Sequence, residues 1–232
     1  SYARLITQLF GEKMFISNAT GCSSIWGGTA SISPYTTNKA SGHGPAWINS
    51  LFEDNAEHGL GMQIGYETVR ENLITKVEAL KGKNAELDAV IDKFLETKNN
   101  TKANDEPAKA LIAALEACGC DESKEILKDK QYLAKKSFWI FGGDGWAYDI
   151  GYGGLDHVLA SGHDVNVMVF DTEMYSNTGG QASKASNIGE VCQFAAAGKE
   201  ISKKSLAEIC MTYGYIYVAQ IALGANMNQA VK

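Results

Sequence analysis

The chain has 232 residues, of which 45% are hydrophobic, enough to bury a full core in one large α/β domain. Its formal net charge of −6 provides no basic surface for nucleic acid, and no apolar run is long enough to span a bilayer. Five cysteines, an odd number without a disulfide-like pattern, are typical of a reducing compartment.

The N-terminal region is rich in Gly, Ser, Thr and aromatic residues as far as Gly65. It contains one clear predicted strand, Met14–Asn18. Cys22 follows this strand in a turn of small residues. On sequence alone, a single cysteine in such a turn is usually structural.

Residues 66–136 change to a composition of Glu, Lys, Ala and Leu with helical periodicity. The predicted helices around this block are Leu51–Leu80, Ala85–Thr97, Pro107–Cys118 and Ser123–Lys135. We expect a helical arm or insertion with a solvated face and no chemistry of its own. Cys118 and Cys120 are one residue closer than the usual metal-binding pair, so we interpret them as two spare thiols at a helix end.

Two apolar strands follow the helical block. The strand at 137–141 (SFWIF) runs into the sequence GGDG at 142–145, and the strand at 165–170 (VNVMVF) ends at DTEM, residues 171–174. The segment between them has the apolar spacing of a helix. In a parallel sheet, this strand–helix–strand unit would place Asp144 and Thr172 at the same carboxyl edge, where open α/β sheets bind ligands.

Asp144 and Thr172 are oxygen ligands of the kind that Mg²⁺ prefers, together with substrate phosphates. Gly143 and Gly145 would let the backbone turn sharply and a phosphate approach, and the helix start would offer N–H groups to an anion. A lone Gly-Asp-Gly more often holds an aspartate that caps a helix. The complete strand–helix–strand unit favours a site for Mg²⁺ and a diphosphate.

The remaining sequence motifs indicate secondary structure and packing, not a further binding site. The glycines at 151–154 lack the third glycine of a dinucleotide site, because Asp156 occupies its position. A capping box at Ser205–Glu208 predicts a late helix, and Tyr215–Ile221 is predicted to be a strand. Cys192 and Cys210 are predicted to lie on apolar faces of helices.

Several of these motifs resemble thiamine diphosphate enzymes, and specifically the pyruvate:ferredoxin oxidoreductases. The sequence GDG at 143–145, followed by a strand end that bears a ligand, resembles the thiamine diphosphate motif, although most members have Asn where this chain has Thr172. The closer resemblance is carried by residues 146–154 (WAYDIGYGG), 175–181 (YSNTGGQ), 18–28 (NATGCSSIWGG), 34–38 (PYTTN), 44–47 (GPAW) and 50–57 (SLFEDNAE).

The resemblance implies an α/β fold: an open, mostly parallel sheet with helices on both faces. It would form a single thiamine diphosphate-binding domain over residues 1–232, with a helical insertion at 66–136 and the Mg²⁺–diphosphate motif at 137–181. The resemblance further suggests a fragment, the C-terminal domain of a larger enzyme.

The resemblance also implies roles for site residues. Asp144 and Thr172 would bind Mg²⁺ through their side chains, and Met174 through its backbone carbonyl. The residues that would shape the diphosphate pocket are Gly143, Gly145 and Trp146. Those that would line the pyrimidine side are Gly21, Cys22, Ser23 and Ile25. Asn177 would face the reacting thiazolium and the substrate, although an asparagine that fixes the turn before Gly179 is an equal alternative.

In this family, a cysteine at the position of Cys22 binds a [4Fe–4S] cluster near the thiamine. The family's Cys-x-x-Cys pair precedes this point and its fourth cysteine comes later, so we expect Cys22 to be a free thiol here and no cluster to be retained. The Glu that favours the required tautomer of the cofactor comes from another domain of the family's longer polypeptide. Glu53, Glu57 and Glu173 are the local alternatives.

For the parent enzyme, the resemblance implies oxidative decarboxylation of pyruvate with coenzyme A. Acetyl-CoA and CO₂ would form, and electrons would pass through iron–sulfur clusters to ferredoxin or flavodoxin. We expect this chain to be inactive without the remaining domains, and the parent to be a homodimer of the cytoplasm or of an anaerobic organelle such as the hydrogenosome. We expect neither a nucleic-acid nor a membrane partner. The alternatives are a related 2-oxoacid:ferredoxin oxidoreductase with another substrate, and a non-catalytic module for cofactor binding or assembly.

Overall fold

The computed structural model of the chain describes residues 2–29 and 31–232. It divides into two compact units. The sheet unit comprises Ser1–Leu60 and Phe138–Lys232, and the helical unit comprises Gly61–Ser137. No helix in the described part of the chain is long and apolar enough to cross a membrane.

A four-stranded sheet with the order β2-β1-β3-β4 organises the sheet unit. Its strands are β1 (Met14–Ala19), β2 (Ala46–Ser50), β3 (Ser137–Gly143) and β4 (Asn166–Phe170). β1 and β2 are parallel, as are β3 and β4. A short antiparallel pair, β5 (Met174–Tyr175) and β6 (Gln181–Ala182), follows the sheet in the chain.

Alternate residues of the strands face two different hydrophobic clusters, as the period of two in a strand requires. On one face, Ile140 packs in a cluster with Ala56 and Leu155. On the other face, Phe141 packs with Ile16 and with Ile6. Ala56 and Leu155 belong to α3 (Asn55–Glu78) and α7 (Tyr152–Ala160), and Ile6 belongs to α1 (Tyr2–Phe10). The predicted mostly parallel α/β sheet with helices on both faces is therefore confirmed.

A buried asparagine at the start of α3 fixes the strand ends. Asn55 Nδ2 donates to the carbonyl oxygen of Phe141 at 2.9 Å, and its Oδ1 accepts from the hydroxyls of Ser17 and Ser50, each at 2.7 Å. These partners lie on β3, β1 and β2, respectively. A fully satisfied buried network of this kind is rigid, so it holds the strands in register at the edge where the candidate site lies.

The helical unit contains the later part of α3 together with α4 (Ala85–Thr97), α5 (Asp105–Cys118) and α6 (Asp121–Leu127). Its core is formed by fully buried side chains, including Val77, Ile91, Phe94, Leu111 and Leu115. The helices expected in this block are therefore present. The bounds of α4 agree with the prediction to the residue, α3 begins at Asn55 instead of Leu51, and α5 begins at Asp105 instead of Pro107.

The predicted helix Ser123–Lys135 is shorter in the structure, because α6 ends at Leu127 and only a 3-10 turn, Lys130–Tyr132, follows. The buried guanidinium of Arg70 donates to the carbonyl oxygen of Leu133 at 3.2 Å. Asn104 Oδ1 accepts from the backbone N–H of Lys135 at 2.9 Å. The backbone N–H of Lys135 thus bonds a side chain, whereas a helix that continued to Lys135 would have bonded it to a backbone carbonyl.

Residues 215–221, predicted to be a strand, are not one in the structure. The Tyr215 hydroxyl lies 3.0 Å from the carbonyl oxygen of Leu159 and 2.9 Å from that of Ala160, which ties this segment to the end of α7. Tyr217 is 89% exposed. An alternating pattern makes a strand only where a sheet edge accepts it, and this segment is held by a helix instead.

Two further expectations for the C-terminal region need correction. Helix α8 (Leu206–Met211) begins where predicted, but the side chain of Ser205 makes no capping hydrogen bond. Cys210 lies on this helix, whereas Cys192 lies in an irregular segment and forms a single bridge with Ala195. The last helix of the chain is α9 (Met227–Val231).

Candidate magnesium–diphosphate site

The candidate site lies where β3 and β4 end. In the parallel register of these strands, Gly143 pairs with Phe170, so Asp144 and the residues after Phe170 leave the sheet side by side. Thr172 Oγ1 donates to Asp144 Oδ1 at 2.9 Å, and the backbone N–H of Thr172 donates to the same oxygen at 3.2 Å. The structure therefore brings the two predicted ligands into direct contact.

A third oxygen completes the group. The carbonyl oxygen of Met174 lies 3.0 Å from Thr172 Oγ1. Adjacent ligands of an octahedral Mg²⁺ with bonds of about 2.0–2.1 Å are separated by about 2.9 Å. The two measured separations match this value, so a carboxylate, a hydroxyl and a carbonyl can occupy neighbouring positions around one ion.

Sequence reasoning missed the partner that holds the second carboxylate oxygen. The buried hydroxyl of Ser183 donates to Asp144 Oδ2 at 2.5 Å. The backbone N–H of Ala185 in turn donates to Ser183 Oγ at 3.1 Å. Asp144 is only 1% exposed, so these bonds fix the direction in which its carboxylate points. No local motif marks Ser183, which lies in an irregular loop 39 residues after Asp144.

The loop between the predicted ligands Thr172 and Met174 carries a strained backbone. Glu173 has φ 65°, in the left-handed region that non-glycine residues seldom adopt. Ser186 donates its hydroxyl to the Glu173 carbonyl oxygen. Lys203 Nζ lies 2.7 Å from Asp171 Oδ2 and 3.4 Å from Glu173 Oε1. These contacts hold the loop in the conformation that directs the Met174 carbonyl towards Thr172.

The glycines beside Asp144 have different surroundings. A Cβ on Gly145 would lie 2.3 Å from the ring of Tyr175, whereas the nearest atom to a Cβ on Gly143 would be the Phe170 carbonyl oxygen at 3.9 Å. Neither glycine adopts the left-handed conformation, so the expected sharp turn is not what requires them. Gly145 is needed for aromatic packing, and Gly143 leaves open space at the strand end.

After Asp144 the chain forms a π-helical segment, Gly145–Ile150, that leads into α7. Trp146 in this segment is fully buried and packs against Gly142 and Gly151, where a Cβ would lie 2.4 Å and 2.3 Å from its ring. Trp146 therefore supports the loop from within the core. Short π-helical segments occur frequently at functional sites.

Two tyrosines connect the π-helical segment and the loop after β4. Tyr148 donates its hydroxyl to Asp171 Oδ2 at 3.1 Å, and Tyr175 donates to Asp149 Oδ2 at 3.2 Å. Burial, with a contribution from Asp149, raises the pKa of Tyr175 to about 12. Burial and Asp171 likewise raise the pKa of Tyr148. Both hydroxyls therefore remain protonated donors at neutral pH.

The structure also brings Cys22 to the loop that contains Asn177. Cys22 Sγ accepts from the Ser176 hydroxyl at 3.2 Å and from the backbone N–H of Asn177 at 3.3 Å. Two predicted parts of the site, separated by 155 residues, thus meet. The Asn177 side chain is exposed, and these contacts do not assign it a role in the reaction.

The other residues predicted on the pyrimidine side follow β1. Gly21 precedes α2 (Cys22–Gly28). The buried hydroxyl of Ser23 lies 3.4 Å from the carbonyl oxygen of Ala19, so its side chain points towards its own strand. Ile25 is 58% exposed.

Of the three local glutamates, Glu53 and Glu57 are exposed, and Glu57 lies against Gly154. Glu173 forms an ion pair with Lys203.

Comparisons with known proteins show what the chain is similar to. Residues 130–232 match the family described as the C-terminal TPP-binding domain of thiamine pyrophosphate enzymes. Pyruvate-flavodoxin oxidoreductase of Klebsiella pneumoniae is 52% identical over 235 residues, and pyruvate:ferredoxin oxidoreductase of Moorella thermoacetica is 52% identical over 240 residues. Each alignment covers 100% of this chain and 20% of the relative.

The chain is homologous to one segment of these oxidoreductases. The resemblance inferred from the motifs is therefore confirmed. The chain spans about a fifth of the length of these curated relatives. A protein named pyruvate dehydrogenase [NADP(+)], mitochondrial, from Euglena gracilis is 50% identical over 240 residues, and the chain covers 13% of it.

Proposed function

We propose that this chain binds thiamine diphosphate through Mg²⁺ held by Asp144, Thr172 and the carbonyl of Met174, and that it is the thiamine diphosphate domain of a pyruvate:ferredoxin or pyruvate-flavodoxin oxidoreductase. The observation that carries the proposal is the group of three oxygens at the ends of β3 and β4. The family match over 130–232 and the similarity to the two oxidoreductases support it.

The three ligands suit a diphosphate partner. Only Asp144 brings a full negative charge, so an Mg²⁺ ion in this site would keep net positive charge for the diphosphate oxygens. The open space beside Gly143 would let phosphate oxygens approach the strand end. Ser183 would keep the Asp144 carboxylate turned towards the ion, as outer partners of metal ligands commonly do.

When bound, thiamine diphosphate supplies the electron sink that decarboxylation of a 2-oxoacid needs. The residues of this chain would position it: the oxygen group holds the diphosphate end, and the loop at 175–177, which bonds Cys22, lies beyond the metal ligands in the chain. Asn177, Gly21, Cys22 and Ile25 would face the cofactor from that loop and from the start of α2, while the side chain of Ser23 points back towards β1.

The activity of a whole enzyme extends this proposal. Pyruvate and coenzyme A would be its substrates, and ferredoxin or flavodoxin its electron acceptor. Cys22 would be one of the four thiolates of a [4Fe–4S] cluster in such an enzyme. The name of the Euglena gracilis relative refers to NADP⁺ in place of ferredoxin or flavodoxin.

Calorimetric titration with thiamine diphosphate and Mg²⁺ tests the site. Asp144→Ala should lose measurable Mg²⁺-dependent binding, because it removes the charged ligand. Cys118→Ala changes an exposed thiol of the helical unit and should bind as the unchanged chain does. Circular dichroism of both variants verifies that they are folded. Unchanged affinity in a folded Asp144→Ala protein would overturn the assignment.

A further inference from the structure

The helical unit carries a pair of adjacent thiols that the proposed function does not use. Helix α5 ends at Cys118, Gly119 adopts the left-handed conformation with φ 61°, and Cys120 precedes α6. This tight turn brings the two side chains to the same side. Cys118 Sγ and Cys120 Sγ are 3.2 Å apart.

The two thiols are reachable from solvent and differ in environment. Cys118 is exposed, and Cys120 is half-buried at the edge of the helical core. Hydrogen bonds from the side chain and then the backbone of Ser123, with a smaller contribution from Cys118, lower the pKa of the Cys120 thiol. A thiol with a lowered pKa that solvent can reach is the usual setting of a reactive cysteine.

Other roles for the pair fit less well. No group of three or more His, Cys, Asp or Glu residues suited to a metal ion occurs in the part of the chain that the structure describes. Neither sulfur is enclosed in the core, so packing does not require them. By contrast, burial raises the pKa of the half-buried Cys210, which makes that thiol less reactive.

We propose that Cys118 and Cys120 form a redox-active dithiol that exchanges with low-molecular-weight disulfides such as oxidised glutathione. The Cys120 thiolate attacks one sulfur of the disulfide, which forms a mixed disulfide and releases one thiol. Cys118, after losing its proton to solvent, attacks the Cys120 sulfur and releases the second thiol. Two protein thiols are thereby oxidised to one disulfide, and one external disulfide is reduced to two thiols.

Local geometry permits this bond. The sulfurs must move from 3.2 Å to about 2.05 Å, and Gly119 between them has the conformational freedom to adjust. Closing the bond would link the end of α5 to the start of α6. In a reducing compartment, a disulfide of this kind is transient and reports the redox state.

Mass spectrometry of the whole chain can test the proposal. The protein is equilibrated in mixtures of reduced and oxidised glutathione, quenched with acid, alkylated and cleaved with trypsin. The peptide Ala110–Lys124 contains both cysteines and no other. We expect it to resist alkylation and to lose the mass of two hydrogens as the oxidised fraction increases. Two alkyl groups in every mixture, or two glutathione adducts, would refute the proposal.

Single variants assign the roles. Cys118→Ser and Cys120→Ser should each retain one glutathione adduct on the remaining cysteine, because the resolving thiol is absent. Cys192→Ser, outside this peptide, should leave its oxidation unchanged. At neutral pH, iodoacetamide should modify the thiol left in Cys118→Ser roughly three to ten times faster than the thiol left in Cys120→Ser. Equal rates would overturn the assignment of Cys120 as the attacking thiol.

Discussion

The sheet unit and the helical unit achieve order in different ways. In the helical unit, neighbouring helices bury a continuous apolar core, and α4 begins at a local signal, the Asn84 cap. In the sheet unit, the candidate site is made of loops held by hydrogen bonds between distant residues, for example Ser183 with Asp144 and Asn177 with Cys22. The comparison indicates that burial stabilises the first and that long-range polar contacts shape the second.

The largest effect we expect is on the core of the helical unit. Phe94 is fully buried, so Phe94→Ala should lower the free energy of unfolding by about 3–5 kcal/mol. Phe194 is 93% exposed, so Phe194→Ala is the matched control. It should change the free energy of unfolding by less than about 0.5 kcal/mol. Urea unfolding followed by circular dichroism measures both. Similar losses in the two variants would contradict the assignment of the core.

The proposed ligand Thr172 provides the next test. Thr172→Val preserves the shape of the side chain but removes the hydroxyl that lies between Asp144 Oδ1 and the Met174 carbonyl. Mg²⁺-dependent affinity for thiamine diphosphate should fall by about a hundredfold or more, because removing even an outer partner of a metal ligand costs about 10–100-fold.

Thr172→Ser restores the hydroxyl and is the control for this variant. It should recover most of the affinity in the same titration. If the valine and serine variants bind equally well, the hydroxyl is not a ligand and the oxygen group does not form the site.

The sequence predicted the parts of both units that depend on local or regular rules. The bounds of α4 follow from its apolar spacing, and the meeting of Asp144 with Thr172 follows from parallel strands that end at one edge. The false strand at Tyr215–Ile221 has the alternating pattern, but Tyr215 bonds the end of α7 instead of a sheet edge. Pattern alone does not show which neighbour a segment meets.

The sequence did not predict the residues whose role depends on the path of the loops. Ser183 has no periodic or motif context, and its contact with Asp144 depends on the path of a long irregular segment. The left-handed backbone of Glu173 could not be expected from a residue type that seldom adopts it.

Ser183 therefore gives a sharper test of how the sheet unit positions its ligands. Ser183→Ala removes the donor to Asp144 Oδ2 and leaves that buried oxygen without this partner. We expect a loss of about 10–100-fold in Mg²⁺-dependent affinity with no loss of the ligand itself. Titration of Ser202→Ala, at an exposed serine of the same unit, should show no change. If Ser183→Ala and Ser202→Ala bind with equal affinity, the Ser183 hydroxyl does not help to position Asp144 for Mg²⁺ binding.

The smallest effect we predict concerns the helical unit, and it tests whether a local contact there is independent of the candidate site. Asn84 Oδ1 accepts from the backbone N–H of Glu86 at 2.9 Å, which satisfies one of the free donors at the start of α4. Asn84→Ala should lower the free energy of unfolding by about 1 kcal/mol, whereas Asn84→Ser should retain most of the stability, since serine also caps helices. Because the contact is local, its loss should not change the titration with Mg²⁺ and thiamine diphosphate. A reduced affinity in the folded alanine variant would show that the two units are energetically coupled, and the contrast between local and long-range order would then have to be abandoned.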